Sequence, residues 1–217
     1  MKKHIFLFLI FPLYFLSSVW AQEKKEFWSG ENYHQNSTSQ KNAAADLMSH
    51  ISLEGSESIL DVGCGDGKIT AKLAEKTDGK VLGVDSSLSM IGFAEKQFSG
   101  EKYPNLAFEL KDAVALDFEN EFDCLLSFTV LQWVPDHQAF IQGARKSLKE
   151  KGKLGISLPL GLPVALEQAV DEIIKKEKWS SYFQNFSTGW NFPTKESFKE
   201  LLQKNHFSFL YDEVVDH

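Results

Sequence analysis

Seven residues, Asp61-Val62-Gly63-Cys64-Gly65-Asp66-Gly67, set three glycines at alternate positions among acidic side chains. Glycines in such a run permit positive φ and let a ligand touch the backbone. A dinucleotide fingerprint would need a further glycine at position 68, which is Lys68. A pyrophosphate would also meet Asp61 and Asp66, and two like charges at about 4 Å cost about 4 kcal/mol at an effective dielectric of about 20. The loop therefore suits a ligand that lacks phosphate and carries positive charge. Asp85 follows Gly65 by twenty residues, a spacing that lets a carboxylate accept both hydroxyls of a ribose. Asp112 lies further on, placed to accept from the amino group of a base. Blander roles compete. The glycines also suit a tight turn, Asp85 competes with Ser86 and Ser87 for a helix cap, and Asp112 has Asp117 nearby as a solvated loop acid.

The elements that would position these groups alternate. Apolar runs predict buried strands over Ser58–Gly63, Lys80–Asp85, Leu106–Leu110, Phe122–Phe128 and Lys153–Leu158. Helical spacing predicts helices over Ala43–Ile51, Lys68–Lys76, Leu88–Phe98 and Asp136–Lys149. The C-terminal third is expected to hold a helix over Pro163–Lys178, an aromatic loop over Trp179–Asn191 and a helix over Thr194–Asn205 capped by Thr194. A sixth strand is expected over Phe207–Val215. This is an α/β pattern: a doubly wound, Rossmann-like, mostly parallel sheet with helices on both faces and its ligand at the carboxyl ends of the strands.

Ile59 to Gly67 resembles motif I of the class I S-adenosylmethionine-dependent methyltransferases. Asp85 matches their ribose-binding acid, and Lys111-Asp112-Ala113 their adenine contact. The resemblance implies S-adenosyl-L-methionine as cofactor, held by Asp61, Gly63, Gly65, Asp85, Asp112, Ala113 and Phe128, with no metal. It also implies a seventh, antiparallel strand, and none is visible after Val215.

Phe128 to His137 is similar to the subgroup that includes the trans-aconitate and juvenile hormone acid methyltransferases, which esterify small carboxylates. In that subgroup the residues matching Gln40 and Trp133 would meet the substrate carboxylate, and Tyr33 to Gln40 looks like the segment that closes over it. A carboxylate is ionised near neutral pH and needs no general base. An amine acceptor would need one, and His137 is the nearby candidate. Leu131-Gln132-Trp133 also resembles malonyl-carrier-protein carboxyl methyltransferases. Two alternatives therefore stay open, a carrier-bound acid as acceptor and an exported, non-catalytic cofactor-binding protein. Trp179, Tyr182, Phe183, Phe186, Trp190 and Phe192 are either an apolar substrate pocket or ordinary packing.

The 217 residues carry a formal charge of −7, which disfavours nucleic acid as a partner. A small-molecule acid and a monomeric chain are the expectation. Lys2 and Lys3 followed by an apolar run over Ile5–Val19 read as a signal peptide cut before Gln22, leaving residues 22–217 as one methyltransferase domain. The chain would then be exported, and would touch a membrane only if that segment stayed uncleaved. Cys64 and Cys124 are expected too far apart along neighbouring strands to form a disulfide.

Overall fold

The computed structural model describes residues 29–214 except 37, 99, 163, 182 and 184–188. The apolar N-terminal run, its cleavage position, Tyr182 and Phe186 lie outside the described residues, as do the side chains of Gln40 and Trp179.

The chain opens with helices α1 (Gly30–Asn36) and α2 (Thr38–Ser49). Strands and helices then alternate as β1 (Ile59–Val62), α3 (Lys68–Ala74), β2 (Val81–Asp85), α4 (Leu88–Gln97), β3 (Leu106–Leu110), β4 (Phe122–Phe128), α5 (His137–Ser147) and β5 (Leu148–Ser157). Helices α6 (Val164–Ile174), α7 (Glu177–Ser180) and α8 (Lys195–Lys204) follow. The five strands form one sheet in the order β3-β2-β1-β4-β5, and every neighbouring pair is parallel. The winding direction reverses between β1 and β4, which opens a crevice beyond their carboxyl ends.

Alternation along each strand splits the core between two faces. Leu60, Val62, Leu82, Val84 and Leu125 pack with Phe140, Ile141 and Ala144 of α5. Ile59, Val81, Cys124 and Leu126 pack on the opposite side with Ala71, Leu73 and Ala74 of α3. Phe122 breaks the parity. It joins the α5 face because the β4–β5 register shifts between Phe122 and Cys124. Local signals set the helix starts. Asp136 caps α5 by accepting from the Ala139 N–H at 2.9 Å, and Thr194 caps α8 by accepting from Ser197 at 3.1 Å, as expected for Thr194. Both cysteines are free and buried. Cys124 sits opposite Ile59, five residues before Cys64.

Three expectations change. The first helix of the domain does not begin at Ala43. It begins at Thr38, and the short α1 precedes it. The helix expected over Pro163–Lys178 breaks after Ile174. The sixth strand does not form, because residues 207–214 join no ladder. An apolar run becomes a strand only beside a partner. Here His206 turns the chain at φ 64. The tail is then held by side chains: Tyr211 stacks on His50 at 3.7 Å, and Asp212 pairs with Lys195 and Lys199 at 3.3 and 2.7 Å. Leu210 is left 87% exposed.

Phe140→Ala should therefore destabilise the fold by about 3–5 kcal/mol in denaturant titration, whereas Leu210→Ala should change it by less than about 0.5 kcal/mol. A large loss at Leu210 would mean that the tail is paired in solution.

Candidate functional site

The loop after β1 turns sharply because its glycines leave the ordinary backbone region. Gly63 sits at φ 77, and a side chain there would collide with Val130, whose Cγ2 is 2.2 Å from the place a Cβ would take. Gly65 sits at φ 54, with the Tyr33 ring 3.4 Å from the corresponding point. Gly65 is thus a backbone cradle covered by the Tyr33 ring of α1.

Asp85 joins the two strand ends. One carboxylate oxygen accepts from the Gly65 N–H at 3.0 Å and the other from the Ser87 N–H at 2.9 Å. Ser87 caps α4 by accepting from Met90. Asp85 is therefore not the helix cap and faces the glycine loop. Burial raises its pKa, against the lowering effect of these N–H groups.

Asp61 is 1% exposed, at the core of β1. Its Oδ2 accepts from the Thr70 hydroxyl at 2.7 Å, and its Oδ1 is buried with no partner. Burial, and then the nearby Asp85 charge, raise its pKa from 3.8 to about 7. Burial, with the charges of Asp66, Asp85 and Asp61, pushes the Tyr33 phenol up to about 12. The same causes push the Cys64 thiol up. In all three burial is the largest cause, and neighbouring carboxylates add to it. Of the three acids Asp61, Asp66 and Asp85, only Asp66 has close basic side chains among the described residues, His34 Nδ1 at 2.7 Å and Lys68 Nζ at 3.4 Å.

The resemblance marked Tyr33 to Gln40 as a closing segment, though not the helix α1 that its first residues help form. This helix docks Tyr33 and His34 on the glycine loop, and Lys68 donates to the His34 carbonyl, tying the two together. Within the Tyr33-to-Gln40 segment expected to close over the substrate, residues 33–36 thus end α1, with Tyr33 and His34 on the glycine loop, and residues 38–40 begin α2. Gln40 lies on α2, its side chain outside the described residues.

Asp112 is exposed and caps a single turn, Ala113–Ala115, by accepting from Val114. Ala113 is buried beside it. Phe128 ends β4, 6% exposed, in the core of the α3 face. Trp133 is 39% exposed and meets Trp190 edge-on at 5.8 Å, and Trp190 in turn meets Phe192 at 5.9 Å. Asn191 fastens that segment to the β4 loop, through its N–H on the Gln132 carbonyl at 2.7 Å and its amide on the Val134 carbonyl at 3.1 Å. His137 Nε2 lies 2.7 Å from the Leu131 carbonyl, so that nitrogen carries the hydrogen and donates. Its ring abuts Phe198.

Reversed winding, a glycine cradle and an acid at each of two adjacent strand ends define a site for a cationic, ribose-bearing ligand. A family profile described as a methyltransferase domain matches residues 53–206, and the chain belongs to that family. Trans-aconitate 2-methyltransferase of Deinococcus radiodurans is 35% identical over 133 residues, 61% of this chain and 49% of that enzyme. The chain spans about half the length of such curated relatives. Phosphoethanolamine N-methyltransferase 2 of Haemonchus contortus, solved with S-adenosyl-L-methionine, superposes with TM-score 0.61 at 23% identity, covering 77% of this chain and 36% of that one. The cyclopropane synthase MmaA2 of Mycobacterium tuberculosis gives TM-score 0.62 at 23% identity, covering 79% and 62%. These two solved structures share the fold.

The residues present fit S-adenosylmethionine, the family's cofactor. An orphaned carboxylate oxygen on Asp61 and a cradle over Gly65 suit a ligand with two cationic centres and no phosphate.

Asp61 makes the folded state hold its proton to higher pH than the unfolded chain does, so its destabilising effect grows as pH rises from about 4 to about 7 and is full above. Asp61→Asn keeps an acceptor for Thr70. It should raise Tm by several degrees at pH 8 and leave it unchanged near pH 4, measured by calorimetry. An unchanged Tm at pH 8 would contradict the burial of an unpartnered acid.

Proposed function

We propose that this chain transfers the methyl group of S-adenosylmethionine to the carboxylate of a small molecule. When bound, the cofactor supplies an electrophilic methyl on a sulfonium. Asp85 would accept from its ribose, Asp61 and the Gly63–Gly65 backbone would hold its amino-acid end, and Asp112 with Ala113 would meet the base.

One observation carries the choice of acceptor. The loop over the reacting position, residues 129–137, contains two titratable side chains, and both are occupied. Asp136 caps α5, and His137 donates to Leu131. Among the described residues this leaves His137 Nδ1 as the loop's candidate general base, with the ring held against the loop's own backbone. A neutral amine or alcohol would need one, whereas a carboxylate arrives as an ionised nucleophile. The protein then has to align oxygen, methyl and sulfur at about 3–3.5 Å and exclude water. The Trp133–Trp190–Phe192 row gives the crevice an apolar wall. The resemblance to trans-aconitate methyltransferases supports the same class of acceptor.

Incubating the full chain with methyl-labelled cofactor and a panel of di- and tricarboxylic acids should give a volatile label on mild base treatment, the mark of an ester. Base-stable label would instead point to an amine or hydroxyl acceptor.

A further inference from the structure

Helix α1 is fastened at two places. At its start Gly30 is buried against α4. A Cβ on Gly30 would fall 2.6 Å from that of Phe93, and the Gly30 N–H donates to the Ser89 hydroxyl at 3.3 Å. One turn on, the His34 ring lies 5.0 Å from the Phe93 ring, and its Nδ1 donates to Asp66 Oδ2 at 2.7 Å. Lys68, at the start of α3, donates to the His34 carbonyl and lies 3.4 Å from the same Asp66 oxygen. The helix therefore bridges from α4 to the glycine loop.

Between these fastenings Tyr33 closes one approach to the loop. Its ring lies 3.4 Å from the point a Gly65 Cβ would take, which is already contact distance. A ligand atom set between them would need roughly 3.5 Å on each side. After burial, Asp66, Asp85 and Asp61 are what raise the Tyr33 phenol, which places the ring among the acids assigned to the cofactor.

The fastening itself uses none of the groups assigned to the cofactor. Asp66 is turned to His34 and Lys68, its side chain 5% exposed. Asp61, Asp85 and the Gly63–Gly65 backbone are left to the ligand. The contacts on Asp66 can therefore stand both before the cofactor enters and after it is bound.

We propose that α1 is a latched lid on the cofactor loop. S-adenosylmethionine enters and leaves while α1 is lifted, and the His34–Asp66 and Lys68–His34 contacts set how often it lifts. This rests on the S-adenosylmethionine reading. His34 and Lys68 are positioning residues that act on exchange through α1. Because the latch closes over the free and the bound loop alike, weakening it speeds entry and exit together and leaves affinity unchanged.

Surface plasmon resonance of S-adenosylmethionine on the immobilised full chain tests this. Losing one partly buried, charge-assisted hydrogen bond in His34→Ala should raise the association and dissociation rates by about tenfold each, with Kd held within about twofold. His34→Asn sets an amide donor where Nδ1 stands and should return both rates towards those of the native chain. Gly30→Ala pushes α1 off Phe93 without touching the loop or its acids, and should speed both rates in the same way. Unchanged rates in His34→Ala and Gly30→Ala, or a change in only one of the two rates, overturn the lid. No binding by the native chain removes the cofactor reading and the lid with it. Hydrogen exchange gives an answer without ligand. Amides of residues 61–68 should exchange about tenfold faster in free His34→Ala, while those of β4 exchange as in the native chain. Native exchange at residues 61–68, or faster exchange in β4 as well, overturns the proposal.

Discussion

Two N–H groups on one half-buried carboxylate hold this site together. Asp85 takes Gly65 from the loop after β1 and Ser87 from the start of α4, and so fixes the ends of two adjacent strands. Fixing them brings Asp61, Asp66 and Asp85 to one loop, in a region that water reaches poorly. Burying like charges together opposes folding. The chain relieves Asp66 with His34 and Lys68 and leaves Asp61 half-satisfied. Stability given up in this way is the usual mark of a site shaped for something other than the fold. A cation of the kind the family's cofactor carries would relieve it.

The sheet was legible in the sequence because its strands are short apolar runs bounded by turns. The glycine loop was legible because only glycine takes its backbone angles. Asp85 was legible from its distance to Gly65. Other features were hidden for physical reasons. Helix α1 is short and polar, and its role lies in where it docks, which no periodicity records. Phe207 to Val215 has a strand's composition, yet a ladder depends on a neighbour, and among the described residues none is present. Trp133 drew attention as the chemical residue of its loop, while Gln132 beside it is the one buried. A glutamine inside the run Phe128-Thr129-Val130-Leu131-Gln132-Trp133-Val134 was a usable signal, because a polar side chain in an apolar stretch is informative when it turns inward.

The fold itself does not choose the chemistry. Neighbours with the same sheet are named for N-methylation and for cyclopropane synthesis, so what they share with this chain is the fold. Choice of acceptor falls to the parts that vary around the sheet: the loop after β4, the segment that Asn191 fastens to it, and the helices that roof it. In this chain those parts supply an aromatic row and a histidine whose Nε2 is held by the Leu131 carbonyl.

The central claim is that buried acids await a positive ligand, and proton exchange on binding tests it most directly. Titration calorimetry of S-adenosylmethionine at pH 7, in buffers of different ionisation enthalpy, counts the protons released. Asp61, with its pKa near 7 in the free protein, should lose a fraction of a proton when the cation binds, and Asp61→Asn should abolish that release. Binding with no proton exchange in the native chain would contradict the account.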